Sequence, residues 1–157
     1  MVKGYDMKLS KNFTLNEMTR SQTATRFNID NTPSQEVINN LLYLCNNLLQ
    51  PLRDAKGPLT ISSGYRSTKV NKKVGGSGTS LHCYGAAADI DNLDVIDILC
   101  FIHYNLPYTE LILEYPLQGW CHSALIKGRE NDKVLKLKDD DHNYKIVSIE
   151  YILDIYS

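Results

Sequence analysis

The chain has 157 residues, 43% hydrophobic and 22% charged, which is the size and balance of one globular domain and excludes wholesale disorder or a collagen-like chain. Seventeen Lys and Arg against eighteen Asp and Glu leave a net charge of −1, removing the basic excess that a non-specific nucleic-acid binder needs. No run approaches the ~20 apolar residues of a membrane span, and Met1-Val-Lys-Gly-Tyr-Asp-Met7 lacks the apolar stretch of a secretory leader. The expectation is a monomer that is cytoplasmic as synthesised, with neither membrane nor nucleic acid among its partners.

Taken in chain order, Thr14 and Glu17 have capping-box spacing for a short helix. A longer helix is predicted with Thr32 as N-cap, Pro33 at its first position and Gln35 completing the box. Its apolar stripe runs through Val37, Ile38, Leu41, Leu42, Cys45, Leu48, Leu49 and Leu52, and it ends near Lys56-Gly57-Pro58. Leu59-Thr-Ile-Ser62 reads as a short strand entering a glycine-containing loop, and the stretch from Asn71 to Thr79, with Gly75, Gly76 and Gly78, as a surface loop. Ala86 to Ile90 has the small apolar character of a buried strand. Leu93 to Tyr104 is predicted as a helix with Val95, Ile96, Leu99 and Ile102 inward. Leu111 to Tyr115 and Trp120 to Ile126 are predicted as strands around a turn at Pro116-Leu-Gln-Gly119. The last thirty residues contain an Asp139-Asp-Asp141 turn and an apolar tail from Ile146 to Tyr156, without an assigned element. Helices first and strands later predict an α+β fold: one domain over residues 1–157, N-terminal helices packed on a small, mostly antiparallel sheet.

The chemistry concentrates in Ser80-Leu-His-Cys-Tyr-Gly-Ala-Ala-Ala-Asp89. Small residues between His82 and Asp89 let two backbone segments approach closely enough to bring imidazole and carboxylate together. With His122, on the predicted strand beside Trp120, the donors become His, Asp and His. Three such ligands with a fourth position open describe a catalytic zinc site. The plainer reading, hydrogen-bonded histidines and a capping aspartate, stays open on the residues alone. His103 and His142 are read as ordinary polar histidines. Cys83 and Cys121 flank two proposed ligands, but a ligand's neighbour on a strand points to the opposite face, so both are read as packing residues. With no C-x-x-C pair and no leader, Cys45, Cys83, Cys100 and Cys121 are expected to be free thiols.

Ser62-Ser-Gly-Tyr-Arg-Ser67 followed by Asn71, then Ser80-x-His82-x-x-Gly85-x-Ala87-x-Asp89-Ile90, then Trp120-x-His122, resembles the zinc D-Ala-D-Ala carboxypeptidase family of peptidoglycan peptidases. The resemblance is strongest to its phage and prophage branch. It extends into Leu9-Ser-x-x-Phe13-Thr-Leu, Arg20-Ser-Gln-Thr-Ala24, Asp30-Asn-Thr-Pro33 and Leu49-Gln-Pro-Leu-Arg53, covering residues 9 to 123, with 124–157 as an extension of the same domain.

The resemblance implies zinc as cofactor, peptidoglycan stem peptides as partners, and His82, Asp89 and His122 as the ligands. It makes Arg66 the group that faces the substrate carbonyl, and puts Ser80, Asn71 and Tyr65 at substrate-binding positions. Many members place an acid three residues before the last ligand; here that residue is Gly119. The phage-type pattern instead resembles Leu111-Ile-Leu-Glu114-Tyr, making Glu114 the general base, with Glu110 the alternative on the same strand face. The implied activity is D,D-carboxypeptidase or stem-peptide endopeptidase, in a phage or prophage lysis role that would need a holin to reach the wall. A catalytically silent zinc-binding or virion structural domain is the alternative on the same scaffold.

Overall fold

A computed structural model describes residues 6–156, so the expectation that Met1–Met7 is not a secretory leader lies largely outside the described residues. The short helix α1 (Leu15–Thr19) starts where expected, with Thr14 Oγ1 accepting from the Glu17 amide. Helix α2 (Gln22–Arg26), not anticipated, is capped in the same way by Ser21.

The long helical run begins later than expected. Helix α3 (Gln35–Leu44) is capped by Ser34, whose Oγ accepts from the Val37 amide, whereas Thr32 lies in the irregular stretch before it and donates its amide to Asp30 Oδ1. Ser34, one place after Pro33, has its hydroxyl at capping distance and takes the role expected of Thr32. The run continues through a π-helical turn (Cys45–Leu49) into α4 (Gln50–Lys56). Pro51 explains the widening: it has no N–H to return to the carbonyl four residues back, and its ring crowds that carbonyl. Of the expected stripe, Val37, Leu41, Cys45, Leu48, Leu49 and Leu52 are buried and are joined by Leu44, while Ile38 and Leu42 are half-buried at its edge.

Among the described residues six strands form one sheet, in the order β1 (Ile61–Ser63), β2 (Ala87–Ile90), β4 (Trp120–Ala124), β3 (Glu110–Glu114), β5 (Val134–Lys138), β6 (Tyr144–Ile146). Each neighbouring pair is antiparallel except β3 and β5. The α+β architecture and mostly antiparallel sheet are as expected. The final thirty residues, unassigned in the sequence, supply β5, β6 and helix α7 (Ile149–Tyr156). The expected loop from Asn71 is shorter, because helix α5 (Thr68–Lys73), capped by Ser67, runs through Asn71.

Strand alternation sorts the sheet into two faces. Ala88, Ile90, Leu111, Leu113, Cys121, Leu135 and Leu137 join the core cluster, together with the α3–α4 stripe and with Ile98, Leu99 and Ile102 of helix α6 (Val95–Asn105). Asp89, His122, Glu110, Glu114, Lys136 and Lys138 occupy the alternate positions, and cross-strand register sets them in a row across four strands. None of the described helices is long and apolar enough to cross a membrane.

Gly64 joins helix α1 to this face. The amide of Tyr65 donates to the Met18 carbonyl at 2.7 Å, and a Cβ on Gly64 would collide with that same carbonyl. On the site side, the Gly64 carbonyl accepts from His82 Nδ1 at 2.7 Å. Gly64→Ala is therefore expected to cost ~1–3 kcal/mol of stability, since the collision is with backbone rather than a movable side chain. Denaturant midpoints compare the two proteins; equal midpoints would contradict the close approach.

Candidate metal centre

His82 is carried by a 3₁₀ turn (Leu81–Tyr84) whose cap is Ser80, with Ser80 Oγ accepting from the His82 amide. Asp89 and His122 face each other as paired residues of β2 and β4. All three side chains are buried. His82 Nε2 lies 3.1 Å from Asp89 Oδ1, His122 Nδ1 lies 3.2 Å from the same oxygen, and the two nitrogens are 3.2 Å apart. Tetrahedral zinc with bonds of ~2.0–2.1 Å spaces its ligand atoms by ~3.3 Å. Two imidazole nitrogens and one carboxylate oxygen at that spacing fit a zinc ion, with the fourth position left to solvent or substrate.

The outer atoms of the two imidazoles are also engaged. His82 Nδ1 donates to the Gly64 carbonyl, which leaves the Nε2 lone pair for the metal. His122 is turned the other way, with Nδ1 in the triangle and Nε2 at 3.5 Å from Glu110 Oε1. Burial works against a charged Asp89, but His82 and His122 hold its carboxyl well below the usual carboxylate range. Burial likewise works against charge on His122, yet Asp89, Glu110 and Glu114 lift it to about 9.

The two acids of β3 occupy different sides of the His122 ring. Glu114 Oε1 is 4.0 Å from Nδ1, the metal-facing nitrogen, and its Oε2 is 3.5 Å from Lys138 Nζ. Glu110 lies behind the ring, and Lys136 Nζ binds its Oε2 at 2.7 Å. Its carboxyl is held down to about 2, chiefly by His122 and against the effect of burial, with Lys136 adding to the hold. Lys136 and Lys138 were missed in the sequence, although Val134-Leu-Lys-Leu-Lys138 alternates apolar and polar residues in strand register.

Gly119, the position where the resemblance leads one to expect an acid, has no room for a side chain. A Cβ on Gly119 would collide with the Glu114 carbonyl oxygen across the β3–β4 turn. Trp120 at the start of β4 lies against Tyr115, with ring centroids 5.4 Å apart.

Arg66 donates its amide to the His82 carbonyl at 3.1 Å and its Nη2 to Ser80 Oγ at 3.4 Å, while its buried Nε has no hydrogen-bond partner. The structure thus brings Arg66 and Ser80 to the His82 turn. Asn71 is buried and donates through Nδ2 to the Ser77 carbonyl, bracing the loop after α5, and Tyr65 packs in the core cluster. His103 and His142 bind Tyr108 and Tyr115 hydroxyls. All four cysteines are free thiols, and burial pushes Cys45 up to about 12 and Cys121 higher still, as befits packing residues.

The sequence profile of the Peptidase M15 family matches residues 11–110, more than half of the chain. The chain belongs to the Peptidase M15 family. The profile match includes Arg66, Ser80, His82 and Asp89, while Glu114 and His122 lie beyond it. A curated relative, the zinc D-Ala-D-Ala carboxypeptidase of Streptomyces albus G, is 48% identical over 44 residues. That alignment covers 27% of this chain and only 17% of the relative. M15 membership and this relative agree with the donor set on zinc as the cofactor.

Protein purified without chelator is expected to carry close to one zinc per chain by elemental analysis, and His122→Ala close to none. Zinc at a thousandfold excess over its Kd should stabilise the wild type by about 4 kcal/mol relative to chelated protein. Wild-type protein without bound zinc and without a chelator-dependent shift in Tm would contradict the site.

Proposed function

We propose that this chain is a zinc-dependent metallopeptidase that hydrolyses peptide bonds in bacterial peptidoglycan, with His82, Asp89 and His122 as ligands and Glu114 as general base. The observation that carries the reading is the buried ligand triangle with a carboxylate beside its metal-facing nitrogen. M15 membership and the Streptomyces relative support the peptidase class and the wall substrate.

Bound zinc supplies Lewis acidity for a water and for the scissile carbonyl. Glu114 Oε1 takes the proton of the attacking water and passes it to the departing amine. Lys138 occupies Oε2, so the free oxygen is the one nearer His122 Nδ1. Arg66, whose guanidinium is held at the His82 turn by Ser80, donates to the carbonyl oxygen as negative charge builds there. Ser80 holds both the His82 turn and the Arg66 guanidinium, which supports a place at the substrate-binding edge. Glu110 is less suited to the base role because it contacts the ring nitrogen pointing away from the triangle.

The relative's name favours D-Ala-D-Ala bonds. The likeness of the N-terminal segments to the phage and prophage branch favours a role in lysis. Purified peptidoglycan incubated with the protein, with and without chelator and read by mass spectrometry, tests the whole reading. Release of free D-Ala identifies a D,D-carboxypeptidase; stem fragments with a new internal amine identify an endopeptidase. Neither product from zinc-loaded protein would transfer the case to a silent scaffold. Glu114→Ala is expected to retain zinc and lose ~10²–10⁴-fold in rate, and full activity in that variant would overturn the assignment of the base.

A further inference from the structure

We propose that Glu110 and Lys136 form a positioning pair that fixes the orientation of His122 and thereby sets the affinity of the site for zinc. The inference rests on the zinc-site reading above and assigns Glu110 a task distinct from proton transfer.

The two histidines of the triangle present opposite ring nitrogens: His82 offers Nε2, and His122 offers Nδ1. Each therefore needs an acceptor at a different place on its ring to carry the remaining N–H. For His82 that acceptor is a backbone carbonyl, fixed by the close packing at Gly64. No backbone carbonyl plays this part for His122 among the contacts of the described residues, and the group facing its Nε2 is Glu110 Oε1 at 3.5 Å. A carboxylate is the stronger acceptor, so it both orients the ring and raises the basicity of Nδ1 toward a metal.

A glutamate side chain has three torsions and would not hold an imidazole without being held itself. Lys136 supplies the hold through Glu110 Oε2 at 2.7 Å, leaving Oε1 for the ring. Strand geometry makes this pairing available. β5 runs parallel to β3 with Lys136 in register with Ile112, and Ile112 is in turn paired with His122 across β3–β4. Lysine, glutamate and imidazole thus share one sheet face on three adjacent strands.

Zinc dissociation constants of the full chain, measured by competition with a chromophoric chelator, test the pair. Glu110→Ala is expected to weaken zinc binding ~10–100-fold. Glu110→Gln, which keeps an acceptor oxygen, should recover part of that loss, and Lys136→Met should weaken binding by a smaller factor. A purely structural role would lower the Tm of the chelated variants in step with the zinc constants; the proposal expects the zinc constants alone to move. Unchanged affinity in both Glu110 variants, or unchanged affinity with activity lost at saturating zinc, overturns the proposal while leaving the zinc site intact. Wild-type protein that binds no zinc overturns the site reading and this proposal together.

Discussion

The site depends on the register between β2 and β4. Asp89 is paired with His122, and a slip of one residue on either strand would turn that ligand into the core, where Ala88 and Cys121 now point. The small residues leading into Asp89 serve this register. Ala86, Ala87 and Ala88 are buried, so the strand fits between its neighbours while leaving space for two imidazoles. The 3₁₀ turn then brings in His82 from outside the sheet, and its position is set by Gly64 below the ring and Ser80 at the turn's start.

Charge accounting on this face agrees with a metal at the ligand triangle. Three carboxylates, Asp89, Glu110 and Glu114, are largely buried side by side, an arrangement that is costly unless each is compensated. Lys136 compensates Glu110 and Lys138 compensates Glu114. Asp89 has no lysine or arginine within ion-pair distance among the described residues, only the two histidines. The imidazoles compensate Asp89, and a bound cation would take over that part where the nitrogens converge.

Much of this was legible in the sequence because it rests on local signals. The apolar stripe from Val37 to Leu52 and the alternation that sets Glu110 and Glu114 on one face follow from periodicity, and the strand from Ala86 to Ile90 from its run of small apolar residues. The sequence predicts α3 to start two residues early, because Thr32 and Ser34 both have capping side chains and the local pattern does not choose between them. The difference between Glu110 and Glu114 was not legible. Both share a strand face, and only the rotation of the His122 ring gives one the front and the other the back. Lys136 and Lys138 escaped notice because β5 joins the sheet by a parallel pairing with β3, a long-range contact that no local pattern announces. Gly119 read as a departure from the family's usual acid; in the folded chain it is required by the tight turn that carries β3 into β4.

The most direct test of the central claim is anomalous diffraction at the zinc absorption edge from crystals grown with zinc. The expected result is one strong peak ~2.0–2.1 Å from each of His82 Nε2, Asp89 Oδ1 and His122 Nδ1, with Glu114 rather than Glu110 on its open side. A peak elsewhere, or bonded through His122 Nε2, would contradict the account.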